Sequence, residues 1–239
     1  MDWARGVTSR FTYDGPNPNG RDVVWSPDGQ QLAFSSYTKG NPDIVVKKAS
    51  GVGQEDLLAG SPNAEYVEDW SADGRYIVYG TWAPDPTDIW AISLADRKPF
   101  PVVQSPFRKD EPHFSFDGKW LAYASEESGK WQVYVVSFPA ADQKRQISTN
   151  GGSQPRWRRD GKELYYLALD GKLMAVDTTT SAGFGSGIPR SLFDTGLSVS
   201  PLQDQYAVTS DGERFLVLKG GAAPSPITVV VNWAALSKK

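Results

Sequence analysis

An Asp-Gly pair recurs five times along this chain in nearly the same surroundings. A large apolar residue stands three positions before each aspartate, and another stands four positions after it. A period of about 40 to 50 residues is typical of propeller and solenoid architectures, in which each repeat is one supersecondary unit. The repeat therefore restricts the chain to a repetitive fold. The aspartates are 45, 44, 43 and 51 residues apart, at Asp28, Asp73, Asp117, Asp160 and Asp211.

Each repeat predicts strands joined by a tight turn. In Ser26-Pro-Asp-Gly29, Pro suits the first central position of a type I turn, Asp the second, and Gly the left-handed position that closes a hairpin. A strand follows each turn, as in Leu32-Ala-Phe-Ser-Ser36, and a third strand follows that one. A fourth strand completes the first four repeats but is missing from the fifth, because the chain ends soon after Trp233.

The segment Thr8–Tyr13 looks like a fourth strand without the three that should precede it. Pairing it with the last repeat would satisfy backbone groups that otherwise form an open sheet edge. We therefore predict an all-β fold: one β-propeller domain over residues 1–239, with five four-stranded blades and the N-terminal strand closing the last blade. The alternative is part of a six-bladed or larger propeller. Helix is expected only as a short turn near Ala234–Lys238.

Composition excludes several kinds of chemistry. The chain has no cysteine and one histidine, His113, which removes disulfides, thiol nucleophiles and metal sites built on His pairs or cysteines. Its net charge of −3 offers no broad basic surface for nucleic acid. The longest β-branched stretch, Ile227–Val231, is far shorter than the roughly 20 residues that span a bilayer. We expect a soluble chain that has no membrane segment and binds no nucleic acid.

The repeats resemble the WD40-like Ser-Pro-Asp-Gly repeat of TolB-type β-propellers. The run Gly152–Leu164 and the tail Ser225–Trp233 are similar to the C-terminal propeller region of bacterial membrane-anchored serine/threonine kinases. That resemblance implies a bacterial sensing or binding module, working outside the cytoplasm. The chain departs from those kinases in having no kinase motif, and the sequence itself does not encode a compartment.

No catalytic constellation is recognisable, so we predict no catalytic residues and no enzyme activity. The chain has no Gly-x-Ser-x-Gly nucleophile elbow. A hydrogen-bonded packing role is expected for His113. We predict no cofactor and no metal site. The alternative is a propeller hydrolase or lyase that uses channel carboxylates, with a calcium ion held by Asp22, Glu68, Asp69 and Glu111.

The expected binding site is one mouth of the central channel, where the inner strands begin. Charged residues there differ from repeat to repeat, and aromatic residues stand in the connections between second and third strands. Mixed charge orients a polar partner, and aromatic area supplies binding energy. The aromatic residues that recur in register (Trp25, Trp70, Phe114, Trp157) are instead expected to pack between blades. The predicted binding residues are Arg21, Tyr37, Glu68, Trp82, Arg108, Glu111, Trp131 and Arg156.

The sequence thus predicts a non-catalytic binding or scaffold propeller of the sensor type. Its expected partner is a protein or a peptide, with a small ligand as the alternative.

Overall fold

A computed structural model of the 239-residue chain describes residues 11, 23–37, 40–82, 87–180, 183–219 and 228–231. These residues form twenty β-strands, and no helix occurs among them. The strands build five antiparallel sheets that follow one another along the chain. This confirms the predicted all-β architecture of successive small sheets.

The first three sheets each have four strands in chain order. The first comprises β1 (Val23–Trp25), β2 (Gln31–Ser36), β3 (Asp43–Lys48) and β4 (Asp56–Ala59). The second comprises β5 (Ala64–Trp70), β6 (Tyr76–Trp82), β7 (Asp88–Ser93) and β8 (Lys98–Val103). The third comprises β9 (Lys109–Phe114), β10 (Trp120–Ser125), β11 (Gln132–Ser137) and β12 (Lys144–Gln146).

The last two sheets depart from four strands. The fourth sheet has five, because both β16 and β17 pair with β15. The fifth has three described strands. The fourth sheet comprises β13 (Ser153–Trp157), β14 (Glu163–Leu167), β15 (Lys172–Thr179), β16 (Gly185–Ser186) and β17 (Arg190–Asp194), and the fifth comprises β18 (Tyr206–Val208), β19 (Arg214–Val217) and β20 (Thr228–Val231).

The Asp-Gly turns have the predicted geometry. In all five, the glycine N–H donates to the carbonyl three residues earlier, at 2.8 or 2.9 Å. The turn glycines have φ between 67° and 75°, a left-handed conformation that favours glycine. Each turn joins the first strand of a sheet to the second, so the first strands all end on the same side of the molecule, called here the turn end. The opposite side, where the first strands begin, is the entrance end.

Among the described residues, four hydrophobic cores lie between successive sheets. Trp70 at the end of β5, for example, packs with Ala33 and Val46 of the preceding sheet and is only 8% exposed. Phe114 packs likewise against the second sheet. The register aromatics of the second and third repeats therefore have the expected packing role, whereas Trp157 is only partly buried.

Trp25 does not follow this pattern, and the expectation that it packs between blades is wrong for this residue. It is 61% exposed at the end of β1. The physical reason is that the aromatic residue at this repeat position packs on the preceding sheet. Trp25 belongs to the first sheet, and no described sheet covers this part of it. The number of blades in the ring therefore stays a prediction.

Phe11 covers another part of the same face of the first sheet. Its ring meets Phe34 edge-on, with centroids 6.0 Å apart. The ammonium group of Lys47 lies 5.2 Å from the Phe11 ring centroid and donates to the Phe11 carbonyl at 3.0 Å. The rest of the predicted strand Thr8–Tyr13 and the predicted turn at Ala234–Lys238 lie outside the described residues.

Candidate functional site

A cavity of about 300 Å³ lies among the first strands of the sheets, and it is called here the channel cavity. In the first four sheets, the first strands of neighbouring sheets contact one another, so they form the inner layer of the molecule. Every sheet contributes to the lining, through its first strand or, for the fifth sheet, through a residue just before it. The lining residues are Val23, Val24, Trp25, Val67, Glu68, Asp69, Glu111, His113, Arg156 and Asp204.

β-Bulges place several of these side chains. The pairing register shifts at Glu68 in β5, beside Glu111 in β9 and beside Gln154 in β13. Glu111 and Gln154 have φ of 54° and 57°, which is uncommon for residues other than glycine. A bulge re-aims a side chain and often stands next to a functional site. Three neighbouring inner strands thus interrupt their regular pairing beside the cavity.

An ion-pair chain crosses three sheets at the cavity. Arg156 pairs with Asp204 and lies 3.9 Å from the Glu111 carboxylate, measured from Nη1 to Oε2. Burial lowers the pKa of Arg156, but the carboxylates of Asp204 and Glu111 raise it by more, so the net shift is upward. The guanidinium therefore stays charged and holds carboxylates of the third sheet and of the segment before β18.

His113 faces Asp69 across two adjacent inner strands. The distance from Nδ1 to the Asp69 Oδ2 atom is 3.5 Å, while backbone N–H groups of Trp70 and Phe114 donate to Asp69 at 2.8 Å. Burial and then the charge of Arg156 lower the pKa of His113, against the opposing effect of Asp69. We infer a neutral imidazole with its proton on Nδ1. Its Nε2 atom is buried and has no hydrogen-bond partner among the described residues.

Trp82 and Arg108 form a separate contact at the entrance end. The Arg108 guanidinium carbon lies 5.6 Å from the Trp82 ring centroid, a cation–π geometry. Trp82 ends β6, pairs with the first residue of β5, and is 37% exposed. Tyr66 meets its ring edge-on, with centroids 6.1 Å apart. A partly exposed aromatic ring and a guanidinium are thereby held together at the surface.

The structure brings some of the predicted binding residues together and leaves others apart. Glu68, Glu111 and Arg156 line the channel cavity, and Trp82 contacts Arg108. Tyr37 follows β2 and Trp131 precedes β11, both half-buried and neither in the cavity lining. Arg21, and Asp22 of the calcium alternative, lie outside the described residues.

Sequence reasoning missed Asp204 and did not assign His113 to the cavity. Asp204 stands seven residues before Asp211, the same offset that separates Arg21 from Asp28. Extending the comparison of entrance charges to the fifth repeat would have found it. His113 is partly buried, lies 3.5 Å from the Asp69 carboxylate and also lines the cavity.

Clusters of metal ligands and membrane-spanning helices are both absent from the described part of the chain. No group of three or more His, Cys, Asp or Glu side chains there is arranged to hold a metal ion. The calcium alternative therefore gains no support from these residues. In the same part of the chain, no helix has the length and apolar character needed to cross a membrane.

Comparison with known proteins identifies related sequences. The profile of the TolB beta propeller domain matches residues 22–219. Uncharacterized protein Atu1656 of Agrobacterium fabrum is 24% identical over 147 residues, which cover 61% of this chain and 50% of that protein. Tol-Pal system protein TolB of Francisella tularensis is 25% identical over 105 residues, 43% of this chain and 24% of that protein. The chain spans half or less of the length of these relatives.

Solved structures show the same fold at low sequence identity. TolB from Acinetobacter baumannii superposes with a TM-score of 0.68 at 16% identity, covering 88% of this chain and 51% of that one. An oligogalacturonate lyase in complex with manganese superposes with a TM-score of 0.65 at 14% identity, covering 90% and 62%. At such identities the likeness concerns the fold alone, which hosts proteins of different function.

Proposed function

The chain belongs to the TolB β-propeller domain family, and from this premise we propose that it binds a segment of a partner protein at the entrance end, without chemistry. The segment lies across Trp82 and Arg108 and inserts one basic side chain into the channel cavity. A recognition role of this kind needs a rigid scaffold and a concave site with a few placed polar groups.

The channel cavity carries this proposal. Among the described residues, its lining holds four carboxylates (Glu68, Asp69, Glu111, Asp204) against one guanidinium, that of Arg156. His113 adds no charge when its pKa is lowered, and its Nε2 atom then accepts a hydrogen bond. The surplus of negative charge and acceptors favours a lysine or arginine side chain over an acidic one.

Trp82 and Arg108 supply the expected anchor outside the cavity. Trp and Arg are enriched among the residues that dominate binding energy at protein interfaces. The cation–π contact holds the Arg108 side chain against the Trp82 ring before a partner binds. The Arg108 side chain therefore loses less conformational entropy on binding. The proposed partner therefore combines a basic residue with a neighbouring polar or aromatic one.

We extend the proposal to a sensor-type module outside the cytoplasm. The support is the resemblance of Gly152–Leu164 and Ser225–Trp233 to propeller regions of membrane-anchored kinases. The relative from Francisella tularensis is named as a protein of the Tol-Pal system, a name that fits a role among protein partners.

A second candidate function is a lyase or hydrolase, and one observation favours it. A histidine with a free acceptor nitrogen, oriented by a carboxylate, is the arrangement expected of a general base. The fold is also shared with an oligogalacturonate lyase. Turnover of an oligogalacturonate, glycoside or ester by the purified protein, with the rate lost in His113→Asn, would replace the binding proposal by this one.

Peptide selection supplies a probe for the binding proposal. A phage-displayed random peptide library is panned against the immobilised protein, and the recovered peptide is titrated by calorimetry. We expect the Trp82→Ala/Arg108→Ala double variant to lose roughly tenfold or more in affinity, about 1.4 kcal/mol. Glu68→Gln should also weaken binding, and added salt should weaken it further.

A matched pair away from the inner strands serves as the control. Ile188 is exposed in the segment between β16 and β17, and Arg145 is exposed in β12, the fourth strand of its sheet. Ile188→Ala/Arg145→Ala should bind the peptide like the wild type. Equal affinity of the Trp82→Ala/Arg108→Ala variant and this control would contradict the proposed site.

A further inference from the structure

A second cavity, of about 480 Å³, opens at the turn end and is called here the turn-side cavity. Its walls include Trp25, Trp70, Phe114 and Trp157, the last residues of four inner strands. Its rim is formed by Phe116 and Arg159, which stand in two of the Asp-Gly turns. The volume falls within the range of known ligand sites, roughly 300 to 1,000 Å³. The proposed function does not use this cavity.

Two turns depart from the repeat at this rim. The residue before the turn aspartate is Pro27, Ala72 or Ser210 in three repeats, but Phe116 in the third and Arg159 in the fourth. A type I turn requires neither an aromatic ring nor a guanidinium at this position. Phe116 is 49% exposed, so its ring contributes little to the core. The turn itself therefore gives no structural reason for these two side chains.

Arg158, the other arginine of the fourth turn, is already paired. Its Nη1 atom lies 2.9 Å from the Glu163 carboxylate and its Nε atom 3.3 Å from that of Asp160. Arg158 occupies the position that a serine has in three other repeats, and its ion pairs help to hold the turn in place of the serine hydroxyl. Its charge is largely compensated within the protein.

Arg159 differs because it has no carboxylate partner among the described residues. Its guanidinium carbon lies 5.2 Å from the Phe116 ring centroid, and within the described ranges no ion pair or side-chain hydrogen bond involves it. An arginine stacked on an aromatic ring keeps its in-plane N–H donors available. The turn-side cavity thus presents unused donors beside a wall of aromatic rings.

We propose that the turn-side cavity binds a peptide segment of a partner protein in which an aromatic side chain stands next to a carboxylate. The carboxylate pairs with Arg159 in the fork geometry that guanidinium groups favour. The aromatic side chain packs against Phe116, Trp25 and Trp157. Exposure of Phe116 and Trp25 on an open rim favours a peptide chain over a small enclosed ligand. The turn-side cavity shares Trp25 and Asp69 with the channel cavity, whereas Phe116, Trp157 and Arg159 line the turn-side cavity alone. The proposal rests on these three residues and does not depend on the function proposed at the entrance end.

Two short peptides test the charge requirement. The first is acetyl-Gly-Trp-Asp-Gly-amide, and the second has Asn in place of Asp. Each is titrated into ¹⁵N-labelled protein while the indole N–H signals, assigned from single Trp→Phe variants, are followed. We expect the Asp peptide to shift the signal of Trp157 saturably, with an affinity roughly tenfold above that of the Asn peptide. The signal of Trp25 is not used to place the peptide, because Trp25 lines both cavities.

Variants connect the effect to the rim residues. Arg159→Gln should remove the preference for the Asp peptide, and Phe116→Ala should weaken both peptides by roughly fivefold. Both residues are on the surface, so these variants are expected to fold. Ile188→Ala/Arg145→Ala should bind both peptides with the affinities of the wild type. This result would exclude a general effect of lost surface area or charge.

Three results would overturn this proposal. Equal affinity for both peptides would remove the carboxylate preference. Shifts confined to Trp82 and Trp131 would place the peptide at the entrance end, and absence of shifts at millimolar peptide would mean that the cavity does not bind it. Because the entrance-end signals are read separately, failure here is distinguishable from failure of the proposed function.

Discussion

In four of the five repeats, a serine or threonine hydroxyl at the start of the Asp-Gly turn makes hydrogen bonds that hold the turn together. The Ser115 Oγ atom donates to Asp117 at 2.6 Å and accepts the backbone N–H of Trp120 at 3.0 Å. Ser26, Ser71 and Thr209 make the same two kinds of bond in their repeats. The hydroxyl thus links the turn aspartate to the start of the second strand. This bonding explains why the motif has a serine or threonine two residues before the aspartate.

Replacing such a serine should be costly. Ser115 is buried, and Ser115→Ala leaves the Trp120 N–H without its acceptor, so we expect the free energy of unfolding to fall by about 1–3 kcal/mol. Denaturant titration measures the change. Ser128→Ala removes an exposed hydroxyl that donates to the carbonyl of Lys130, and it should change stability by less than about 0.5 kcal/mol. Equal stability of the two variants would contradict this role.

The lowered pKa of His113 predicts that the stability of the fold depends on pH. Burial and Arg156 lower its pKa in the folded protein, whereas the unfolded chain takes up this proton near pH 6.5. The unfolded state therefore binds more protons below about pH 6.5, and stability should fall as the pH falls below that value. His113→Asn should show a smaller decrease of melting temperature between pH 7.5 and 5.5. An identical pH profile for both proteins would contradict a lowered pKa.

At the scale of elements, strands and turns follow from the sequence because their signals are local. The Asp-Gly spacing predicts where the hairpins lie. The apolar residues on either side of each turn predict which strands are buried, as for Leu121 after the third turn. The bulges at Glu68 and Glu111 are different, because no local signal marks them. They result from contacts between neighbouring inner strands, as does the meeting of Asp204 with Arg156. The site was therefore only partly predictable.

Trp70 and Trp25 provide a matched test of packing between sheets. They occupy the same repeat position, but Trp70 is 8% exposed and Trp25 is 61% exposed. Trp70→Ala should lower the free energy of unfolding by about 3–5 kcal/mol, because it leaves a cavity in the core between the first and second sheets. Trp25→Ala should cost less than about 1 kcal/mol. A large loss in the Trp25 variant would mean that further strands cover this face.

At the scale of the whole molecule, each sheet buries its apolar faces against its neighbours. Because of these interfaces, we expect residues 1–239 to unfold as one cooperative domain. Thermal scans should then show a single transition. The face of the first sheet that bears Phe34 has no described neighbouring sheet, but Phe11 lies on it. We therefore keep the prediction that Thr8–Tyr13 closes the ring by pairing with the last sheet.

Removing that segment should destabilise the fold. A chain lacking residues 1–13 loses the contacts of Phe11 with Phe34 and Lys47 and exposes strand edges that favour association. We expect a sharply lower melting temperature or aggregation, measured by differential scanning calorimetry and light scattering. If the shortened protein melts like the intact one, an incomplete larger propeller becomes the better description.

The structure of the protein in complex with the peptide selected against it tests the central claim most directly. We expect the peptide at the entrance end, against Trp82 and Arg108, with a basic side chain in the channel cavity. Its nitrogen atoms should lie within about 3.2 Å of the Glu68 or Asp204 carboxylate or of His113 Nε2. A peptide bound elsewhere on the protein, with no side chain entering the channel cavity, would contradict the claim.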